Sequence, residues 1–421
     1  MVDLKESKQQ QGKAKPTGEL AAEYAQWQSN DRRDLIPLLG YREYWYPVVL
    51  MKQVGKHPKH VKLLGTDLVF FRGKDAEVAC ISSICPHRGG NLAEGECHWE
   101  GTITCPYHGW TFGEHGELLA VLVEGDDSKL PELGIKPRMY PTRVLKGMVF
   151  VWMGEGDPVP IEEDIPPEVF REDAHIKFHL EYWMCNWRQS VENAADAHAP
   201  YVHRNSFRVG QFPISFSGPV GPRSESVNGR AAVVRNFNVR SNRIQGQDVY
   251  FTKLGHKWPK SHWRKLWTWM FKFALKRNLK AQPTWSVLTE KEQAEWGGSM
   301  LHLPGMVRFD NRGYTYTRHA IPATEDLTLM VYYHWSAGTS WIAKLWESFY
   351  WNIFHNWMHY TNFSRQDMKA VVNQHYDYPE NFSSHDSPLV IWRKLCASAR
   401  DNHMGESTSS AEDGQKAEQS T

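Results

Sequence analysis

From Tyr44 to about Gly156 the chain alternates short apolar runs with Gly, Pro and Asp: Trp45 to Val54, Val61 to Phe71, Val78 to Ile84, Gly101 to Thr104, Leu118 to Val123 and Met148 to Met153. Runs of this length, cut by turn residues, predict a small domain built of strands. Pro158 to Pro167 then holds four prolines in ten residues. Proline fits neither a helix interior nor a central strand, so this stretch is read as a domain boundary. Beyond it, strand patterns at 231 to 240, 299 to 309, 314 to 321 and 327 to 334 alternate with helical patterns near 187 to 204, 261 to 280 and 341 to 376. That mixture predicts an antiparallel sheet wrapped by helices, an α+β domain. The expected organisation is a flexible tail over 1–35, an all-β domain over 40–157, the α+β domain over 168–400 and a second flexible tail over 404–421. The last of these is rich in Ser, Glu and Gln and lacks any aromatic residue, so it cannot bury enough surface to fold.

Composition narrows the function classes. With 41% hydrophobic residues in 421, each domain can bury a core, and Lys+Arg 49 against Asp+Glu 48 removes any global pull toward nucleic acid. No apolar stretch approaches the ~18 residues of a membrane span. The start, MVDLKESKQQQ, carries charge where a secretory signal has its apolar core, so a cytoplasmic location is expected. No Gly-rich nucleotide loop is present, and six cysteines are too few for a disulfide scaffold. They read as metal ligands or buried thiols.

Two loops carry the strongest chemistry. Cys85-Pro-His87-Arg-Gly and Cys105-Pro-Tyr-His108-Gly-Trp each mix one thiol and one imidazole, and Pro86 and Pro106 stiffen them. A structural zinc site is one reading of two Cys and two His. The pairing of one Cys with one His on each loop is instead what a two-iron, two-sulfide cluster of the Rieske kind requires, with thiolates on one iron and imidazoles on the other. The segment resembles the Rieske domain of the ring-hydroxylating oxygenases. Cys80 and Cys97 fall outside the spacing and are expected to be packed thiols.

An oxygen-activating site is sought downstream, because such a cluster only moves electrons. In Asn186-Trp-Arg-Gln-Ser-Val-Glu192-Asn193-Ala-Ala-Asp196-Ala-His198-Ala-Pro-Tyr-Val-His203 two imidazoles stand five residues apart, with Pro200 breaking the helix between them. Two His and one carboxylate on one face, with open positions opposite, make a non-haem Fe(II) site. These residues look like the catalytic motif of the Rieske non-haem iron oxygenases, which implies His198 and His203 as ligands. The resemblance implies a third ligand on a C-terminal helix, best matched by Asp367 in Ser-Arg-Gln-Asp367, with Glu347, Asp377 and Asp386 as rivals. It also implies a bridging Asp that carries an electron from a Rieske His of the neighbouring subunit to the first ligand His. The family places it three residues ahead, whereas Asp196 stands two ahead of His198. Either Asp196 keeps the role on an irregular helix, or Glu192 or Asn193 shares it.

Between Val249 and Thr289 there is no acid but nine Lys or Arg among Trp and Phe, and Trp263, Leu266, Trp267, Met270, Phe273 and Ala274 share one helical face. Such a helix can cover a core, dock an acidic ferredoxin or touch a membrane, the last being the weaker reading beside a docking face.

The resemblance runs from about residue 40 to about 395. It implies an all-β Rieske domain followed by a helix-grip catalytic domain, carrying one [2Fe-2S] cluster and one mononuclear Fe(II) per chain. It further implies a homotrimeric terminal oxygenase fed by a separate NAD(P)H-dependent reductase or ferredoxin. Such an enzyme would use O₂ to hydroxylate or demethylate an apolar aromatic, steroid or terpenoid-like molecule. The rival class is a Rieske electron carrier whose C-terminal domain only binds a partner.

Overall fold

The computed structural model describes residue 33 and residues 36–400, except 75–76, 173, 196–201, 204–222, 228–230, 236–288, 290, 293–295, 297–298, 312–313, 338–340 and 383–385. The basic segment, both tails, Asp196 and His198 lie outside the described residues.

Nine strands form three small antiparallel sheets: β1 (Trp45–Leu50) with β9 (Met148–Trp152) and β8 (Thr142–Leu145); β2 (Lys59–Leu63) with β3 (Thr66–Arg72) and β4 (Val78–Ser82); and β5 (Thr102–Thr104) with β6 (Trp110–Gly113) and β7 (Leu118–Val121). Strand β3 shows why its apolar run is continuous. Leu68 and Phe70 point into a large core, while Val69 and Phe71 point into a second, smaller one. A strand buried on both faces has no reason to alternate. The smaller core also holds Ile81, Leu92, Ile103, Phe112, Cys85 and Cys105, so it is the floor beneath the two Cys/His loops.

The second body is a seven-stranded antiparallel sheet ordered β10-β16-β15-β14-β13-β12-β11. Its strands are β10 (Ala174–Trp183), β11 (Arg223–Val227), β12 (Ala231–Arg235), β13 (Ser299–His302), β14 (Met306–Asn311), β15 (Tyr314–Thr324) and β16 (Leu327–Ala337). Strand β10 went unread in the sequence although Ala174, Ile176, Phe178, Leu180 and Tyr182 alternate without a break. Helix α1 (Trp187–Glu192) begins at an Asn186 cap and a Gln189 box and is shorter than the 187 to 204 pattern suggests. The 341 to 376 pattern becomes one helical run of changing pitch: α2 (Trp341–Tyr350), π-helical turns at Trp351–His355 and Trp357–Ser364, and α3 (Arg365–Val372). Ring stacking of His179 on Tyr360, with centroids 3.8 Å apart, seats this run on the sheet. Helix α4 (Ser387–Cys396) closes the structure, and Arg400 beyond it reaches back to Asp164 at 2.6 Å. No helix among the described residues is long and apolar enough to cross a membrane.

Candidate redox and oxygen sites

The two Cys/His loops are built alike. Cys85 N donates to Gly90 O at 2.8 Å and Gly89 N to Cys85 O at 2.9 Å; Cys105 N donates to Trp110 O at 2.8 Å and Gly109 N to Cys105 O at 3.1 Å. Each turn needs a left-handed residue four places after its cysteine, and glycine supplies it: φ is 70° at Gly89 and 66° at Gly109. The thiols point inward, 2% exposed at Cys85 and 3% at Cys105, while His87 and His108 sit half-buried above them with ring centroids 4.6 Å apart. His87 stacks flat on Trp110 at 4.7 Å, and Tyr107 leans on His108. Burial first, then the neighbouring Cys105 sulfur, pushes the Cys85 thiol up to about 11. Desolvation and the positive charges of His87 and Arg88 hold His108 below its ordinary value.

The space between the loops fits an inorganic cluster. A Cβ on Gly90 would stand 2.9 Å from Cys105 Sγ, so only glycine leaves the sulfur room for a further bond. Two buried thiols beneath two half-buried imidazoles, one of each from either loop, match the donor set of a Rieske centre. Cys80 and Cys97 stay apart. Burial alone raises both thiols, Cys97 to about 11, as expected of packed cysteines.

The second site joins distant parts of the chain. His203 Nε2 lies 3.0 Å from Asp367 Oδ1, and these residues are 1% and 3% exposed. Two donors bound cis to one metal at ~2.1 Å each stand roughly 3.0 Å apart at a right angle, so the pair has the separation of neighbouring ligands. A neutral imidazole nitrogen and a carboxylate oxygen are also the donor types of such an iron. Phe363 stacks on the His203 ring at 3.8 Å, and Gln366 Oε1 sits 3.2 Å from His203 Nδ1. Gln189 Nε2 donates to Val371 O at 3.1 Å and Gln374 O at 2.9 Å, tying α1 to the end of the helix that bears Asp367.

Two of the three rivals to Asp367 have described side chains. Asp377 is exposed, and Asp386 occupies the cap position of α4; the Glu347 side chain lies outside the described residues. Glu192, weighed above for the bridge, is instead held by Arg393 through two 2.8 Å hydrogen bonds, and the Asn193 side chain accepts from Arg318 at 3.4 Å. Sequence reasoning missed Gln366, Phe363, Gln189 and Arg393. Only Gln366 carried a signal, its place beside Asp367.

Comparison with known proteins finds two family matches along the chain. The Rieske [2Fe-2S] domain matches residues 44–125, and the homotrimeric ring hydroxylase family matches residues 152–245. The chain thus carries a stretch that matches the Rieske [2Fe-2S] domain followed by one that matches the homotrimeric ring hydroxylases. The terminal oxygenase component of carbazole 1,9a-dioxygenase from Metapseudomonas resinovorans is 36% identical over 194 residues, 44% of this chain and 50% of that one. The phthalate 4,5-dioxygenase oxygenase subunit of Pseudomonas putida is 33% identical over 178 residues, covering 40% of this chain and 39% of its own length. The chain thus spans about half or less of these relatives. The solved terminal oxygenase of carbazole 1,9a-dioxygenase from Novosphingobium sp. KA1 superposes with a TM-score of 0.68 at 22% identity, over 91% of this chain and 98% of that one. This likeness shows the fold, an all-β domain followed by an α+β domain, and the matched Rieske domain is by its description one that carries a [2Fe-2S] cluster.

Proposed function

We propose that this chain is the terminal oxygenase component of a Rieske-type system. It takes electrons from a separate NAD(P)H-dependent reductase or ferredoxin and, with O₂, hydroxylates or oxidatively demethylates an apolar aromatic, steroid or terpenoid-like substrate. The reading includes a cytoplasmic homotrimer. The observation that carries it is the buried pair His203 Nε2 and Asp367 Oδ1, 3.0 Å apart, in the same polypeptide as the two Cys/His loops.

In this reading Cys85 and Cys105 would hold one iron of the cluster, His87 and His108 the other, and His198, His203 and Asp367 the Fe(II). When bound, the cluster supplies one-electron transfer and the Fe(II) supplies O₂ activation. The half-buried rings of His87 and His108 face the surface, where an electron can cross to a neighbouring chain, while the thiols stay in the apolar floor. Asp196, two positions ahead of His198 in the sequence, would orient that imidazole by accepting a ring N–H and so link the two centres across the subunit boundary. The 1% and 3% exposure of His203 and Asp367 excludes bulk water from the reacting position. Support for a ferredoxin donor comes from the solved complex between oxygenase and ferredoxin in carbazole 1,9a-dioxygenase, and support for a trimer from the homotrimeric ring hydroxylase match.

The decisive experiment is product analysis by mass spectrometry with isotopically labelled O₂ across a panel of apolar substrates, with iron counted in the same preparation. Label in the product and about three irons per chain are expected. About two irons with no oxygenated product would favour the electron-carrier alternative.

A further inference from the structure

His203 is gripped on three sides by one helical run. Phe363 covers its ring face with 3.8 Å between centroids and 16° between planes, Asp367 Oδ1 stands 3.0 Å from Nε2, and Gln366 Oε1 stands 3.2 Å from Nδ1. The last two come from adjacent residues that approach the ring from opposite edges. An amide oxygen can only accept, so the hydrogen bond to Gln366 places the Nδ1 proton and leaves Nε2 as the nitrogen that faces Asp367. Orientation and tautomer are therefore set by the residue next to the carboxylate, 163 positions from the imidazole it fixes.

We propose that Gln366 is a positioning residue for the mononuclear metal: through its side-chain oxygen it holds His203 with Nε2 directed at the space shared with Asp367. The assignment rests on the reading of His203 and Asp367 as metal ligands. It is distinct from the role given to Asp196, which concerns His198. An imidazole whose distal N–H is held by an acceptor is a better ligand than one free to turn, and losing such a partner typically weakens metal binding 10- to 100-fold. Gln366 also moves with Asp367, because both sit in the first turn of α3. Any displacement of this helix shifts the carboxylate and the imidazole's hydrogen-bond partner together, so the angle between the two donors is kept.

The test uses the full chain with its cluster in place. Fe(II) affinity of the mononuclear site is measured by titrating iron-depleted protein with Fe(II) alone, for wild type, Gln366→Met and Gln366→Glu. Met has nearly the shape of Gln without an acceptor, so its packing is retained. We expect Gln366→Met to bind Fe(II) about 10- to 100-fold more weakly and Gln366→Glu, which keeps an acceptor oxygen, to match or exceed the wild type. An unchanged visible spectrum of the cluster in each variant reports that the fold is intact. Equal affinity of Gln366→Met and wild type overturns the proposal, as does equal weakening by Met and Glu, which would mark Gln366 as packing only. A wild type that takes up no Fe(II) beyond its cluster overturns the ligand reading itself, and the positioning role with it.

Discussion

Glu192 and Arg393, 201 residues apart in sequence, meet in the interior through two 2.8 Å hydrogen bonds. The guanidinium's other edge takes Glu380 at 2.7 and 2.9 Å, and the Tyr376 hydroxyl donates to Glu192 at 3.2 Å. The planar fork of arginine is what allows two carboxylates to be served at once. Helix α1, from which the chain runs on toward His203, is thereby fastened to α4.

Arg393→Met should therefore destabilise the protein by about 3–5 kcal/mol, because Glu192 would be left buried without its cation. Urea unfolding measures this. Arg393→Lys, with a single compact charge, should recover only part of the loss.

For electron transfer the two acids near the His motif should part company. Asp196→Asn should keep both metals yet let reduced cluster accumulate in rapid mixing with O₂ and substrate, if the Asp196 carboxylate has the orienting role proposed for it. Glu192→Gln should reoxidise its cluster at the wild-type rate, because its carboxylate is held by Arg393. The reverse result would return the bridge to Glu192.

Removing a metal donor should separate the two centres. Asp367→Ala should lose the mononuclear iron and turnover but retain the cluster's visible and electron paramagnetic resonance signals, because a site reduced to two protein ligands no longer holds its metal. Full iron and activity in this variant would place the third ligand elsewhere.

At the cluster, Gly90→Ala adds one methyl group 2.9 Å from Cys105 Sγ. Assembly should fall sharply in this variant, read as loss of iron and acid-labile sulfide. Gly55→Ala makes a suitable control, since a Cβ there meets nothing within 4 Å and its backbone is not left-handed.

Acid should weaken the fold through two histidines on the sheet. Burial holds His302 and His319 each at about 3, and the Nε2 of each has no hydrogen-bond partner among the described residues. An unfolded His takes its proton near 6.5. Above that pH both states are neutral and these groups contribute no pH dependence. As pH falls from about 6.5 toward 3, the unfolded chain binds two protons that the folded chain refuses, at a cost of about 1.4 kcal/mol per unit for each. His302→Phe, which can keep the stack on Trp296, should remove about half of this slope in denaturation midpoints measured from pH 7.5 to 4.5.

What the sequence disclosed depended on how local each signal was. The four residues of the Cys/His loops fall within 24 positions, Cys85 to His108, and each loop is set by its own glycine, so the motif was readable whole. Strands such as β9, Met-Val-Phe-Val-Trp, were equally plain. Asp367 could be singled out only by resemblance, because a helix acid gives no local sign that its partner lies on another element. Glu192 was weighed for the bridge because the sequence beside it says nothing of an arginine in α4. The change to π-helical pitch after Tyr350 was likewise silent, since helical spacing in sequence does not distinguish windings that differ by less than one residue per turn.

The wide sequence gap between His203 and the α3 residues that surround it has a consequence during synthesis. The Cys/His loops and their floor are complete once the ribosome has passed β7, whereas His203, itself made later, must then wait another 163 residues after its own synthesis for Gln366 and its neighbour. At 5–20 residues per second the delay is on the order of ten to thirty seconds. A nascent chain can thus present its sulfur ligands to the cluster-delivery machinery well before it can hold the mononuclear iron. Under the proposed function, premature termination between the two would release a polypeptide able to take electrons and unable to pass them on to O₂ and a substrate.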